Sequence, residues 1–159
     1  VYGSWGRPDM ALFLFTKNIL AGKPINLYNN GNMERDFTYI DDIVEGIVRI
    51  IKKPPTQDPN WKSNEPTPAS SSAPYRLYNI GSNSPIQLID YVGEIEKNLG
   101  IKAKLNKMPM QNGDLKKSHA DVSHLIKDFE YTPKWTIQRG MKNFINWYLD
   151  YYQVNLPSS

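Results

Sequence analysis

What most constrains this chain is the spacing of its apolar residues, which switches between helical and alternating along its length. Leu12, Phe13, Phe15, Ile19 and Leu20 share one face of a helix predicted over 9–21, with Asp9 as its cap and Gly22 as its stop. Ile43, Val44, Ile47, Val48, Ile50 and Ile51 mark a stronger helix that Asp41 or Asp42 caps and Pro54-Pro55 ends. Leu88, Val92, Ile95 and Leu99 mark a third, opened by the capping box Ser84-Pro85-Ile86-Gln87 and closed by Gly100. A short helix over 121–129 follows. The last begins at Thr136 and carries Ile137, Met141, Phe144, Ile145, Tyr148 and Tyr152. Between them, residues 25–28, 36–40, 77–80 and 101–108 read as short strands, and Asn29-Asn30-Gly31-Asn32 as a turn. Strands and helices alternate without an internal repeat, which indicates an α/β fold with about five helices.

The length, 159 residues, suits one domain over 1–159 with its own core. Residues 54–74 hold six prolines among Ser, Thr and Asn and predict a long irregular loop inside that domain rather than a linker. The net charge of +3 is a mild excess, and a nucleic-acid partner is not expected, because no basic stripe or RNA-binding aromatic motif accompanies it. Cysteine is absent, which excludes disulfides, thiolate-bound metals and thiol catalysis and agrees with a cytoplasmic chain. The two histidines, His119 and His124, lie five residues apart and read as flanking a helix start rather than holding a metal. No run of about 18 apolar residues exists to cross a membrane. Val1-Tyr2-Gly3 reads as the end of a strand entering a loop, so a piece of a longer chain is expected.

Three stretches can carry chemistry. In Gly3-Ser4-Trp5-Gly6-Arg7-Pro8-Asp9-Met10, Arg7 stands beside a helix start and could grip a phosphate or carboxylate; the competing reading pairs it with Asp9. Arg35 stands between a strand and a capped helix and could fork onto a phosphate; the competing reading pairs it with Glu34 or Asp36. In Met110-Gln111-Asn112-Gly113-Asp114, polar side chains around a glycine can hydrogen-bond a polyol such as a ribose. The Asp41-Asp42 pair is explained by capping and first-turn charge without any acid–base role. No glycine-rich dinucleotide loop, P-loop or nucleophile elbow is present, and none of the ten tyrosines is followed four residues later by Lys. The sequence therefore offers no catalytic, cofactor-binding or metal-binding residues of its own.

Taken together, these stretches resemble the C-terminal part of the extended short-chain dehydrogenase/reductases that act on nucleotide sugars, and among them the UDP-glucuronate 4-epimerases. The resemblance runs through Val1-Tyr2-Gly3-x-Trp5-Gly6-Arg7-Pro8-Asp9-Met10-Ala11 and Arg35-Asp36-Phe37-Thr38-Tyr39-Ile40-Asp41-Asp42-Ile43. It continues in Ser71-Ser72-Ala73-Pro74-Tyr75-Arg76-x-Tyr78-Asn79-Ile80-Gly81 and in Met110-Gln111-x-Gly113-Asp114 before Ala120-Asp121. It implies the substrate-binding region of a Rossmann-type epimerase whose N-terminal Rossmann half is not in this sequence. NAD would sit on that half, a UDP-sugar between the two, and the complete enzyme would be a homodimer. There a Tyr–Lys pair would remove the proton of the sugar 4-hydroxyl while hydride passes from C4 to NAD and returns to the other face of a 4-keto intermediate. Residue by residue, the resemblance places Arg7 near the sugar and diphosphate, Arg35 on the diphosphate, Tyr28 against the uracil, Asp114 on the ribose hydroxyls and Gln111 beside the phosphates. Ser4 departs from the proline usual at its position, which loosens the loop carrying Arg7. The isolated chain is expected to be inactive. The alternatives are a non-catalytic nucleotide-sugar-binding module and a dehydratase or decarboxylase relative.

Overall fold

A computed structural model describes residues 1–156. Among the described residues, five helices alternate with four short strands, as the changing period predicts. The helices are α1 (Ala11–Leu20), α2 (Ile40–Ile51), α3 (Leu88–Leu99), α4 (Ser123–Phe129) and α5 (Ile137–Tyr151). The strands are β1 (Pro24–Leu27), β2 (Glu34–Arg35), β3 (Ile86–Gln87) and β4 (Lys104–Lys107). None of the described helices is long and apolar enough to cross a membrane.

The core gathers where α1, α3 and α5 pack together over β1. Phe13 and Ile19 of α1, Val92 and Ile95 of α3, and Phe144 and Ile145 of α5 meet Ile25 and Leu27 of β1. Side chains of this size contribute roughly 1.5–3 kcal/mol each on full burial. β1 alternates, with Ile25 and Leu27 turned inward and Pro24 and Asn26 outward, and pairs in parallel with β4. β2 and β3 form a separate two-stranded antiparallel pair, Arg35 opposite Ile86. A single parallel bridge joins Tyr2 to Tyr39: the Tyr2 N–H donates to the Thr38 carbonyl and the Ile40 N–H to the Tyr2 carbonyl, both at 2.9 Å.

The helix stops follow the sequence more closely than the starts. Gly100 ends α3 in the left-handed region (φ 68°), and the Thr136 side chain caps α5 by accepting from the Arg139 N–H. Asp9 does not cap α1, which Met10 opens; its carboxylate is taken by Arg7 instead. Neither Asp41 nor Asp42 caps α2. Tyr39 occupies that position, and the buried Asp42 carboxylate accepts from the N–H groups of Lys134 (2.9 Å) and Trp135 (3.0 Å). Ser84 caps nothing, because Ile86 and Gln87 are drawn into β3 by pairing with β2, and α3 starts only at Leu88. Residues 77–80 are not a strand: among the described residues no strand lies beside them to complete a ladder. The strand expected over 36–40 is displaced to Glu34–Arg35, leaving only the Tyr39 bridge.

The proline-rich stretch is irregular, as read, but polar ties fasten it. Ser70 Oγ donates to Asp58 at 2.8 Å, and the Asp58 N–H donates to the Ser71 carbonyl at 2.9 Å. Arg76 lies between Asp58 (3.8 Å) and Asp128 (3.7 Å), and Tyr78 donates to Asp128 at 2.8 Å.

Candidate functional site

A cleft of about 540 Å³ lies between α1 and the β1–β2 segment. Met10 at the start of α1, Leu14 and Asn18 of α1, Phe37 and Tyr91 line it together with Tyr28, Arg35 and Asp114. Three of the five residues singled out in the sequence therefore share one cavity.

Local chemistry explains how they come together. β1 ends at Leu27, and a tight turn over Tyr28–Gly31 follows in which Asn29 (φ 50°) and Asn30 (φ 56°) are left-handed, a conformation asparagine tolerates better than most residues. Tyr28 is held at the start of this turn. Arg35 and Asp114, 79 residues apart, meet because the segment after Asp114 runs alongside β2. The Glu34 N–H donates to the Lys116 carbonyl (2.8 Å) and the Ser118 N–H to the Glu34 carbonyl (3.1 Å). With the backbones locked, Arg35 Nη2 donates to Asp114 Oδ1 at 2.8 Å, and Nη1 donates to the Glu34 carbonyl at 2.9 Å. Arg35 thus pairs with neither the Glu34 nor the Asp36 carboxylate. Asp36 lines the cleft but is spent on structure: it accepts from the Ser82 hydroxyl and from the N–H groups of Asn83 (3.3 Å) and Ala120 (3.2 Å).

The backbone contributes as well. The Met108 N–H donates to the Leu27 carbonyl at 3.0 Å, so that carbonyl faces β4. Backbone groups alternate along a strand, so the N–H and C=O of Asn26 face the other edge, which no strand pairs among the described residues. That edge looks toward α1, where Asn18 Nδ2 reaches the Pro24 carbonyl at 3.4 Å. Asn26, which lines the cleft together with Tyr28, therefore has a backbone donor and acceptor that no strand pairs among the described residues. Burial pushes the Tyr91 hydroxyl well above the ordinary phenol range, with a smaller push from Tyr2. Burial also raises Tyr2, and both stay neutral at physiological pH. The charge available to a ligand in the lining is the Arg35–Asp114 pair.

Arg7 and Gln111 lie outside this lining. Arg7 is three-quarters exposed and binds Asp9 through Nε (3.1 Å) and Nη2 (2.5 Å), the competing pairing weighed for it above. It belongs, however, to the loop joining Tyr2 to Met10, and both of those line the cleft. Gln111 belongs to the same turn as Asp114, whose N–H donates to its carbonyl at 3.3 Å. Sequence reasoning missed Asn18, Asn26 and Ser118, which also line the cavity. Asn26 carried a usable signal as the outward polar position of an alternating strand; Asn18 and Ser118 carried none. No group of three or more acidic, His or Cys side chains suited to a metal occurs among the described residues. The chain's glycines form no G-x-G-x-x-G dinucleotide loop.

A family model described as "NAD dependent epimerase/dehydratase family" matches residues 1–81. Protein CapI of Staphylococcus aureus is 52% identical over 153 residues, covering 96% of this chain and 46% of that protein. UDP-glucuronate 4-epimerase 1 of Arabidopsis thaliana is 44% identical, covering 98% of this chain and 36% of that protein. The crystal structure of UDP-glucuronic acid 4-epimerase from Bacillus cereus, in complex with UDP-glucuronic acid and NAD, superposes with a TM-score of 0.77. It is 26% identical and covers 95% of this chain and 43% of that one. The chain thus spans a third to a half of the length of these relatives.

Proposed function

The chain belongs to the NAD dependent epimerase/dehydratase family, and from that premise we propose that residues 1–159 are the UDP-sugar-binding portion of a 4-epimerase that interconverts UDP-glucuronate and UDP-galacturonate. The observation that carries the reading is the Arg35–Asp114 pair, 2.8 Å apart inside a cleft that also holds Tyr28. A uridine diphosphate needs a base platform, a diol acceptor and a diphosphate cation, and the three residues supply one of each. The Tyr28 ring takes a face of the uracil, while the free edge of β1 meets its alternating carbonyl and N–H groups. Asp114 accepts the ribose hydroxyls. Arg35 has five N–H donors, so it can keep Asp114 and still fork onto a phosphate. The sugar then points toward Val1, Tyr2 and Met10, where Arg7 would exchange Asp9 for the anionic end of the ligand and Gln111 would flank the phosphates.

NAD supplies hydride chemistry in such an enzyme, and no step of it is assigned to residues of this chain. We place that cofactor, and the Tyr–Lys pair implied by the resemblance, on a Rossmann half outside this sequence. The exposed side of α2 is where that half docks, and dimerisation is left to it. The identities to named UDP-glucuronate 4-epimerases favour an epimerase over a dehydratase or decarboxylase.

Calorimetric titration with UDP tests the reading. The protein is expected to bind UDP. Arg35→Ala should weaken binding by about 10- to 100-fold, the loss of one charge-assisted contact. No turnover of UDP-glucuronate with added NAD is expected. Equal UDP affinity in the wild type and Arg35→Ala would reject the cleft as the diphosphate site.

A further inference from the structure

Trp5 is an unusual residue for its place. Its backbone is left-handed (φ 61°), a conformation that costs any side chain with a Cβ, and its side chain is exposed, the residue retaining 73% of its accessible surface. A surface loop would ordinarily shed both penalties by carrying Gly or Asn. The compensation lies on α5: the indole centroid is 5.2 Å from Trp147 and 4.9 Å, edge-on, from Tyr151. Those two rings are themselves stacked, 16° from parallel. The loop is pinned from inside as well. A Cβ on Gly3 would come 2.6 Å from Ile40 Cγ2, and one on Gly6 would come 3.0 Å from Phe13 Cε2. The loop is therefore held at three points in the five residues before Arg7: two glycines pressed inward and one ring anchored outward.

From these contacts we infer that Trp5 is a positioning residue for Arg7, fixing the Tyr2–Met10 loop, whose two ends line the cleft, against the end of α5. The inference rests on the reading of the cleft as a UDP-sugar site and extends it to a residue that touches no ligand. In the proposed binding mode Arg7 meets the anionic sugar end while Arg35 holds the diphosphate, so Trp5 acts on the sugar and not on the nucleotide. A purely structural Trp5 would affect both ligands alike.

The experiment compares UDP with UDP-glucuronate by calorimetry on the wild type, Trp5→Ala, Trp5→Gly, Trp5→Phe and Arg7→Ala. Trp5→Gly relieves the backbone strain while deleting the ring, so it separates the two and guards against a folding defect. The wild type is expected to prefer UDP-glucuronate. Trp5→Ala and Trp5→Gly should each lower that preference about tenfold with UDP affinity within about twofold of wild type, and Trp5→Phe should restore most of it. Adding Trp5→Ala to Arg7→Ala should change nothing further, because both act through one guanidinium. Equal losses for the two ligands, or an additive double variant, overturn the inference and leave the cleft reading standing. Failure of the wild type to bind either nucleotide overturns both.

Discussion

α2 and α3 are both twelve-residue amphipathic helices, and they end up in opposite situations. α3 turns its apolar face inward and buries Tyr91, Val92, Ile95 and Leu99 against α1 and α5. α2 turns Asp42 and Gly46 inward, and Gly46 lets it approach so closely that a Cβ there would meet Ile80 at 3.1 Å. Its apolar stripe of Val44, Ile47, Val48 and Ile51, at i, i+3, i+4 and i+7, stays in solvent, 39–70% exposed. Periodicity announces a face that seeks a partner and does not say that the partner belongs to the same chain. That stripe fits the proposed docking of a Rossmann half, and it lies on a helix that contributes no residue to the lining of the cleft.

Three measurements test the contrast. The largest effect is expected from Ile95→Ala, which removes a fully buried side chain from the α1–α3–α5 core; chemical denaturation should show a loss of about 2–5 kcal/mol. A loss below about 1 kcal/mol would mean that α3 is no better packed than α2. Ile47→Ser with Ile51→Ser on α2 should leave the same stability within about 1 kcal/mol while lowering self-association and hydrophobic-dye binding. A large destabilisation would show that the stripe is packed within this chain. The smallest effect concerns the loop that follows α2. The Ser70 hydroxyl, then the Asn60 N–H and, more weakly, Arg76 hold the Asp58 carboxyl below its ordinary range against an opposing desolvation. A carboxyl lowered on folding contributes stability above its unfolded pKa of about 3.9 and loses it as pH falls through the folded value. Amide protection at Asp58 and Asn60, relative to the intrinsic exchange rate at each pH, should therefore be lost on acidification below about pH 4, ahead of α3 and α5. Simultaneous loss of loop and core would show that Asp58 does not separate them.

Local signals read correctly where the physics is local. Gly100 ends α3 because a left-handed residue is needed there, and Thr136 caps α5 because its hydroxyl reaches an N–H three residues on. They misled where a distant partner competed: Arg7 took Asp9 from the start of α1, two backbone N–H groups near α5 took Asp42, and β2 took Ile86 and Gln87 from the predicted capping box. The candidate site followed the same rule. Arg35 and Asp114 were visible as chemistry suited to a diphosphate and a diol, but their contact depends on the segment at 116–118 pairing beside β2. The unpaired edge of β1 was invisible, because alternation alone does not reveal which side β4 will cover.

The sequence by itself determined the α/β alternation, the five helices and a family resemblance, because each rests on residue spacing or on motifs contiguous along the chain. Tertiary structure alone decided which apolar faces are covered, which carboxylates serve as staples and which ion pair stands in the cleft. Those outcomes are contests between groups far apart in sequence, and geometry settles them.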